Sequence, residues 1–588
     1  MASEEMESRS GDATTGLSRR GFMLAAGAAG GSTVLAACTG GSGGTKLSSA
    51  GKPIKGGPKT TPNTDVIYPE GYAGPIASHK GPVTKERATL NVVVAQDVGM
   101  GDWATNEFTK WYEKRTNVHV NFKTVAGGTD TMTKVNAMIA SGDLPDAFLL
   151  NTSFTPSQLK LYGPDQKLFR PLNDIIDSYG VEVKRIFKDY PDTKKLLTMP
   201  DGKIYSMPDI NDCFHCKGDH GVWIYKPWLE ELGLKMPETT DEFEAVLKAF
   251  KTKDPNKNGS ADEVPLTLGS PDDRFDDAIM NSFTFNPGEP WLYLENGKVQ
   301  VAFDKPGWRE GLKYLNRLYK QGLIDPKSFT RTAEQVQRLG NAKTVTLGTI
   351  RTYYWAGFLD IVENAPHPRY LDYVCVPTLK GPDGFRQASW SYYQPYGLGK
   401  FAVTKASKIP EIAVMWADGF YELEAVQRQY AGVEGKEWRW AKKGETGISG
   451  NQAVYKNITV WPPKPGRAWI QNGIMYRSND FRLGEATNPK TPTFEQPLYE
   501  AVKEAYYPFK VPQSMILPPI AMSQTDAGQL ADLQTTINNF VTQSETNFII
   551  GKQDPNDDGA WNSYLNKLKQ MKLSSYLDIN QKAFEGKS

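Results

Sequence analysis

LNVVVAQDVGMGDWATNEFTKWYEKRTNVHVNFKTVAGGTDTMTKVNAMIASGDLPDAFLLN, residues 90–151, switches repeatedly between two hydrophobic periods. Leu90–Ala95 is a buried-strand run, and Phe108, Trp111, Tyr112 and Arg115 then follow helical spacing. Val118, Val120 and Phe122 alternate with polar neighbours as a second strand. Residues 131–140 form a short helix stopped at Gly142, and Ala147–Leu150 is a third strand. Strand–helix–strand–helix–strand predicts a parallel sheet with right-handed crossovers. In such sheets the ligand crevice lies beyond the carboxyl ends of the strands, here Gln96 to Trp103 and Asn151 to Ser153.

Toward the C-terminus a second unit of the same kind is expected. Thr239 with Glu242 is a capping-box signal, and Phe243, Val246, Leu247 and Phe250 make one apolar helix face. Leu312, Leu315 and Tyr319 line a helix ending near Gly322, and Val345–Ile350 is a strand. Leu530, Leu533, Ile537, Phe540 and Val541 line a late helix, with Trp561, Tyr564, Leu565 and Leu568 on another. The fold class is therefore α/β, as two lobes with extra C-terminal helices.

Toward the N-terminus, Ser18-Arg19-Arg20-Gly21-Phe22-Met23 precedes a weakly apolar run from Gly21 to Ala37, too short and Gly-rich to span a bilayer. The order is that of a twin-arginine export signal. It ends in Leu35-Ala36-Ala37-Cys38, a lipobox that makes Cys38 the lipidated residue. Residues 39 to about 85 are rich in Gly, Ser, Thr, Lys and Pro and are expected to be a flexible tether. The body would sit on the outer face of a bacterial cell membrane, held by lipid alone.

Composition agrees. Of 588 residues, 39% are hydrophobic and 23% charged, with 14 Trp, 27 Tyr and 25 Phe, which excludes disorder throughout. The 68 basic and 67 acidic side chains cancel, so no field exists to hold nucleic acid. A mean hydropathy of −0.50 excludes a polytopic membrane protein.

Asp254, Asn256, Asn258, Gly259 and Ser260 follow the spacing of a Ca²⁺ loop, with Asp262 and Glu263 to close the shell. Position 12 is Pro265, so the loop departs from an EF-hand. Asp554, Asn556, Asp558 and Gly559 repeat the start of this spacing without later carboxylates, which fits a helix-capping turn better. Cys213-Phe-His215-Cys216, near His220, leaves a zinc half-site, a redox pair or a local disulfide open; export favours a Cys213–Cys216 disulfide. Hydrolytic motifs are scarce: five His, no G-x-S-x-G and no H-E-x-x-H. Aromatics instead crowd presumed loops, where flat faces beside amides and carboxylates suit sugar rings. The candidate ligand contacts are Trp103, Asn151, Asp209, Trp223, Trp355, Trp390, Tyr393 and Trp461.

The chain resembles the extracellular solute-binding proteins of bacterial ABC importers, in the oligosaccharide branch known as family 1. The resemblance rests on the lipobox, SGDLPDAFLL (141–150), DGKIYSMPDINDCFHC (201–216), WIYKPWLEELGLKMPETTDEFEAVLKAF (223–250) with the DPNKNGSADEVPL loop after it, and NFIIGKQDPNDDGAWNSYLNKLKQMKL near the end. It implies a two-lobed periplasmic-binding-protein-like fold of type II and a monomer. It also implies a structural Ca²⁺ at Asp254, Asn256, Asn258, Ser260, Asp262 and Glu263, a local disulfide at the CxxC pair, and ABC permease subunits as partners. The lobes expected are 86–208 with about 376–430, and 209–375 with about 431–588, hinged near Met207–Asp209 and Val374–Pro377. A carbohydrate captured between them would be delivered unaltered, without catalysis. The alternatives are an exported, calcium-stabilised glycoside hydrolase or polysaccharide lyase, and a cell-surface adhesion or scaffold protein.

Overall fold

The computed structural model describes residues 51–218, 221–270, 273–360, 368–459, 461–487 and 495–586. The export signal, Cys38, His220 and His367 lie outside the described residues. The chain divides after Leu47, and the unit from Ser48 onward is the folded body.

Short strands β1 (Thr60–Pro62) and β2 (Ser78–Lys80) precede β3 (Ala88–Ala95), β4 (Val118–Val125), β5 (Ala147–Leu149) and β6 (Met207–Asn211). Then come β7 (Val222–Tyr225), β8 (Val264–Leu268), β9 (Leu292–Glu295), β10 (Lys298–Val301), β11 (Leu347–Arg351) and β12 (Tyr373–Cys375). The chain ends its strands with β13 (Tyr396–Val403), β14 (Trp438–Trp440), β15 (Tyr455–Asn457) and β16 (Tyr476–Arg477). The first-lobe sheet has the order β16-β6-β13-β5-β3-β4, and the second-lobe sheet β12-β7-β11-β8.

The expected parallel unit forms: β3 pairs in parallel with β4 and β5. The helix Glu107–Thr116 between them is capped by Asn106, whose side chain accepts the Phe108 N–H, and closed by left-handed Asn117. Helix Thr131–Ser141 stops at Gly142, whose φ of 76° suits a residue without Cβ. In the second lobe the Thr239–Glu242 capping box starts helix Thr240–Thr252. Its Phe243, Val246, Leu247 and Phe250 enter one core with Ile224, Leu266, Trp308, Leu315, Ile537, Trp561 and Tyr576. The C-terminal helices are thus part of the second lobe's core. Among the described residues no helix is long and apolar enough to cross a membrane.

The lobe boundaries differ from expectation. Met207–Asp209 lies inside β6, between β16 and β13, so the hinge falls later, after Asn211. The chain passes between the sheets three times: from β6 to β7, from β12 to β13, and from β16 to helix Glu495–Ala505, which packs on β12. Much of 431–487 belongs to the first lobe, because Trp469, Ile474 and Tyr476 fill the same core as Leu90, Val92 and Phe401. No hydrophobic period marks these residues, so their lobe could not be read locally.

The expected tether also differs over its described part, 51–85. β1 pairs with β2, and Val66 and Ala77 pack against Leu423, Val426, Tyr455 and Phe481. The Ser78 N–H donates to Glu422 at 2.7 Å, and buried Lys80 meets buried Glu182 at 2.8 Å. A few widely spaced apolar residues dock this segment without any local pattern.

Candidate functional site

β3, β5, β6 and β16 run the same way, so their carboxyl ends share one edge of the first sheet with the start of β13. In the second sheet β8, β11 and β12 end at the edge where β7 begins. The chain leaves β6 and β12 through these edges, and the cleft between them is the candidate site.

On the first-lobe wall, Asp97 and Asn151 each stand two residues beyond a strand, β3 and β5. Buried Asn472 joins them: its Nδ2 donates to Asp97 Oδ2 at 3.0 Å, and its Oδ1 accepts from Asn151 Nδ2 at 3.0 Å. A second Nδ2 bond to the Trp469 carbonyl and the Gly99 N–H on Asp97 Oδ1 hold the set in place. Asn151 Oδ1 is buried with no partner.

Beside it, Arg477 closes β16 and lays its guanidinium 4.0 Å from the Tyr430 ring centre. Tyr430 stacks on half-buried Trp461 at 5.4 Å and 16°. Burial lowers the Arg477 pKa, and the neighbouring Arg482 charge adds to this. Arg477 Nη1 donates to Gln471 Oε1 at 3.3 Å, while Arg477 Nε, Trp461 Nε1 and Gln394 Oε1 are buried without partners. The loop after Trp461 is tied to the one after β3 by the Gly466 N–H on the Met100 carbonyl and the Glu107 N–H on the Gly466 carbonyl, both 2.8 Å.

On the second-lobe wall, Arg351 ends β11 and is held by Asp273 and by Asp277 at 2.8 Å. Tyr353 and Tyr354 follow, their rings edge-on at 5.7 Å, and Tyr353 is 42% exposed.

At the crossings, Cys213 and Cys216 form a disulfide. Arg482 of the first lobe clasps Glu495 with Nε at 2.9 Å and Nη2 at 2.7 Å, and reaches Asn211 at 2.8 Å. His215 Nδ1 lies 3.4 Å from Glu495, and burial pushes this imidazole down to about 4. Burial, reinforced by Glu495, pushes the Glu485 carboxyl up to about 8.

The eight residues selected from sequence divide. Asn151 bonds Asn472 on the first-lobe wall, and Trp461 stacks on Tyr430 beside Arg477. Trp390 packs at the crossings against Phe214 and Tyr507, each at 5.3 Å, and the Tyr393 hydroxyl there accepts from Gln513 at 3.4 Å. Three tryptophans are core rather than platform. Trp103 is buried, donating to the Ala95 carbonyl at 3.0 Å and packed edge-on against Trp469. Trp223 and Trp355 pack on each other at 4.6 Å, donate to backbone carbonyls and border a cavity of about 510 Å³ against helix Glu495–Ala505. Asp209 pairs with Lys400 at 2.6 Å and accepts the Met475 N–H, a bond between strands. Asn472, Arg477 and Tyr430 were missed, since none sits in a motif. Tyr353 and Tyr354 stood beside Trp355, and the position just past a strand end was the signal favouring them.

The Ca²⁺-loop residues do gather. The Asp254 carboxylate accepts the Asn258 and Gly259 N–H groups, and Asn258 Nδ2 donates to both Asp262 oxygens at 3.0 and 3.1 Å. Gly259 supplies the φ of 77° that the turn needs. Glu263 Oε1 is buried with no partner, and burial raises the Glu263 pKa, with Asp262 and Asp254 pushing the same way. A cation would relieve that crowding, so the donor set fits a hard divalent ion. The Asp554 turn is different: Asp557 caps helix Asp558–Gln570, and Asp558 pairs with Arg309 at 2.7 Å.

Comparison with known proteins agrees with this geometry. The chain is 29% identical over 485 residues to FusA, the fructooligosaccharide ABC transporter substrate-binding protein of Streptococcus pneumoniae, covering 80% of this chain and 85% of that protein. It is 25% identical over 398 residues to the polygalacturonan/rhamnogalacturonan-binding protein YtcQ of Bacillus subtilis, covering 65% and 70%. The structure of FusA with kestose superposes with a TM-score of 0.69 at 26% identity, over 85% of this chain and 99% of that one. An EF-hand mutant of FusA, solved with fructo-nystose, gives 0.68. The family model of bacterial extracellular solute-binding proteins matches residues 82–422, more than half of the chain, and the chain belongs to that family.

Proposed function

We propose that this solute-binding protein captures an oligosaccharide in the interlobe cleft and hands it, unaltered, to the permease of an ABC importer. The observation that carries the reading is the first-lobe wall. Asn151 Oδ1, Gln394 Oε1, Arg477 Nε and Trp461 Nε1 are acceptors and donors without partners, and Arg477 and Trp461 flank the Tyr430 ring. Hydroxyl groups donate and accept at once, and sugar rings carry apolar faces, so one ligand class answers both features. FusA and YtcQ, both named for glycans, support it. A micromolar ligand needs about 8 kcal/mol net, within reach of one or two stacked rings and several paired hydroxyls. Contacts to both lobes favour the closed form, with Arg351, Tyr353 and Tyr354 completing the site from the second lobe.

Three further features belong to this proposal. Cys38 is lipidated after twin-arginine export and anchors a monomer outside the cell membrane. Asp254, Asn256, Asn258, Ser260, Asp262 and Glu263 hold a structural Ca²⁺, for which the EF-hand named in FusA is supporting. Bound there, the ion neutralises crowded carboxylates and fixes the junction between helix Thr240–Thr252 and β8.

A glycan panel read by melting temperature, with the sugar recovered and weighed by mass spectrometry, tests the reading. A rise in melting temperature with intact sugar is expected. Cleaved or unsaturated products would replace it with the hydrolase or lyase reading.

A further inference from the structure

We infer that Asn472 is a positioning residue that sets Asp97 and Asn151 as a pair of acceptors, and that this pair selects neutral glycans with adjacent free hydroxyls over uronates. The inference rests on the oligosaccharide reading above and narrows it.

Asn472 is 4% exposed, and its whole amide is engaged. Its two Nδ2 bonds go to Asp97 and to the Trp469 carbonyl, and its Oδ1 takes the Asn151 amide. With Asn151 Nδ2 so fixed, Asn151 Oδ1 is the atom left over, and it is buried without a partner. Asp97 accepts from Asn472 and from the Gly99 N–H, and a carboxylate has lone pairs for more. One buried amide therefore orients a carboxylate and an amide carbonyl from two neighbouring strand ends. Two acceptors side by side call for two donors, which adjacent sugar hydroxyls supply. A ligand carboxylate offers no donor and meets the Asp97 charge.

Among the described residues, three cations of the two edges are paired within the protein. Lys400 is bound by Asp209, Arg482 by Glu495, and Arg351 by Asp273 and Asp277. At the first-lobe edge Arg477 has no carboxylate in contact among the described residues, but Tyr430 covers one of its faces and Gln471 takes Nη1. It is the group through which a uronate would bind if the inference were wrong.

The test uses the full chain, neutral trisaccharides (kestose, maltotriose, xylotriose) and trigalacturonate, by calorimetry. A neutral sugar should bind at least tenfold more tightly than trigalacturonate. Asn472→Ala and Asp97→Asn should each weaken it by about 10- to 100-fold, the range for a hydrogen bond to a charged group. The double variant should be little worse than the worse single one, because both act through one pair. Asn472→Asp keeps the shape, so it guards against misfolding. It should bind weakly at pH 7.5 and regain affinity as the pH falls, where the introduced carboxyl takes a proton and donates again. With the variant's melting temperature measured at each pH and found equal, a purely structural role predicts no such recovery. Unchanged affinity in Asn472→Ala and Asn472→Asp, or additive losses in the double variant, overturns the positioning role. Tighter trigalacturonate binding that Arg477→Gln abolishes overturns the selectivity while leaving the oligosaccharide reading intact. If neither sugar class binds the native chain, the oligosaccharide reading falls and takes the inference with it.

Discussion

Replacing Trp461 by Ala should weaken sugar binding while leaving the fold in place. One indole face lies against Tyr430 at 5.4 Å, so the opposite face is the one available to a ligand. Tryptophan buries about 150–250 Å² in all, so a single face offers roughly 80 Å². At about 25 cal/mol per Å² this is about 2 kcal/mol, or about a 30-fold rise in Kd. Loss of the Tyr430 stack should cost the folded state about 1 kcal/mol, which in a body of this size moves the melting temperature only slightly. Isothermal titration with whichever glycan binds the native protein gives the Kd, and Trp461→Phe should recover part of it. An unchanged Kd in Trp461→Ala, with sugar still bound, would refute the stacking argument.

Trp103→Ala should do the reverse, destabilising the first lobe by about 3–5 kcal/mol through cavity formation and loss of its bond to the Ala95 carbonyl. Denaturant titration followed by circular dichroism checks this; a sugar-affinity defect in a fully stable variant would return Trp103 to the ligand contacts. Chelation with EGTA should lower the melting temperature, since calcium at 100 times its Kd contributes about 2.7 kcal/mol. Asp262→Asn should abolish that difference, and identical melting with and without chelator would remove the ion from the loop. Glu485 holds its proton in the fold up to about pH 8, whereas the unfolded chain releases it near the ordinary carboxylate range. The stabilisation from this group is therefore complete below about pH 4.5 and lost as pH rises through 8. Glu485→Gln has no proton to lose, so it should melt with the native protein at pH 4.5 and above it at pH 8.5; equal melting at both pH values would count against the burial argument.

What the sequence made legible follows from the range of each signal. The helix and strand periods of 90–151 and the Thr239–Glu242 cap are local, and each returned the element expected. The loop from Asp254 to Glu263 is a single continuous turn, so the gathering of its oxygen side chains is a local feature. The cleft wall is not continuous: Asp97 and Asn151 follow strands β3 and β5, and Asn472, which joins them, comes from the loop before β16, more than 300 residues later. Aromatic density was a weaker guide. Trp103, Trp223 and Trp355 stand beside loop-forming residues yet turn inward, and each satisfies its indole N–H on a backbone carbonyl. A tryptophan in a loop can be core whenever such an acceptor lies beneath it.

β13 is wedged between β5 and β6, although it is made long after either. A ribosome that has delivered β3 to β6 has therefore released a lobe with a missing middle, whose bare strand edges wait through the whole synthesis of β7 to β12. Such late, distant pairing slows folding and exposes the nascent chain to sticking. Arrested chains ending before Tyr396 should be cut readily by protease, and those extended past Arg477 should resist. An export machine that accepts only finished bodies would spare this chain from threading through a membrane with that gap still open.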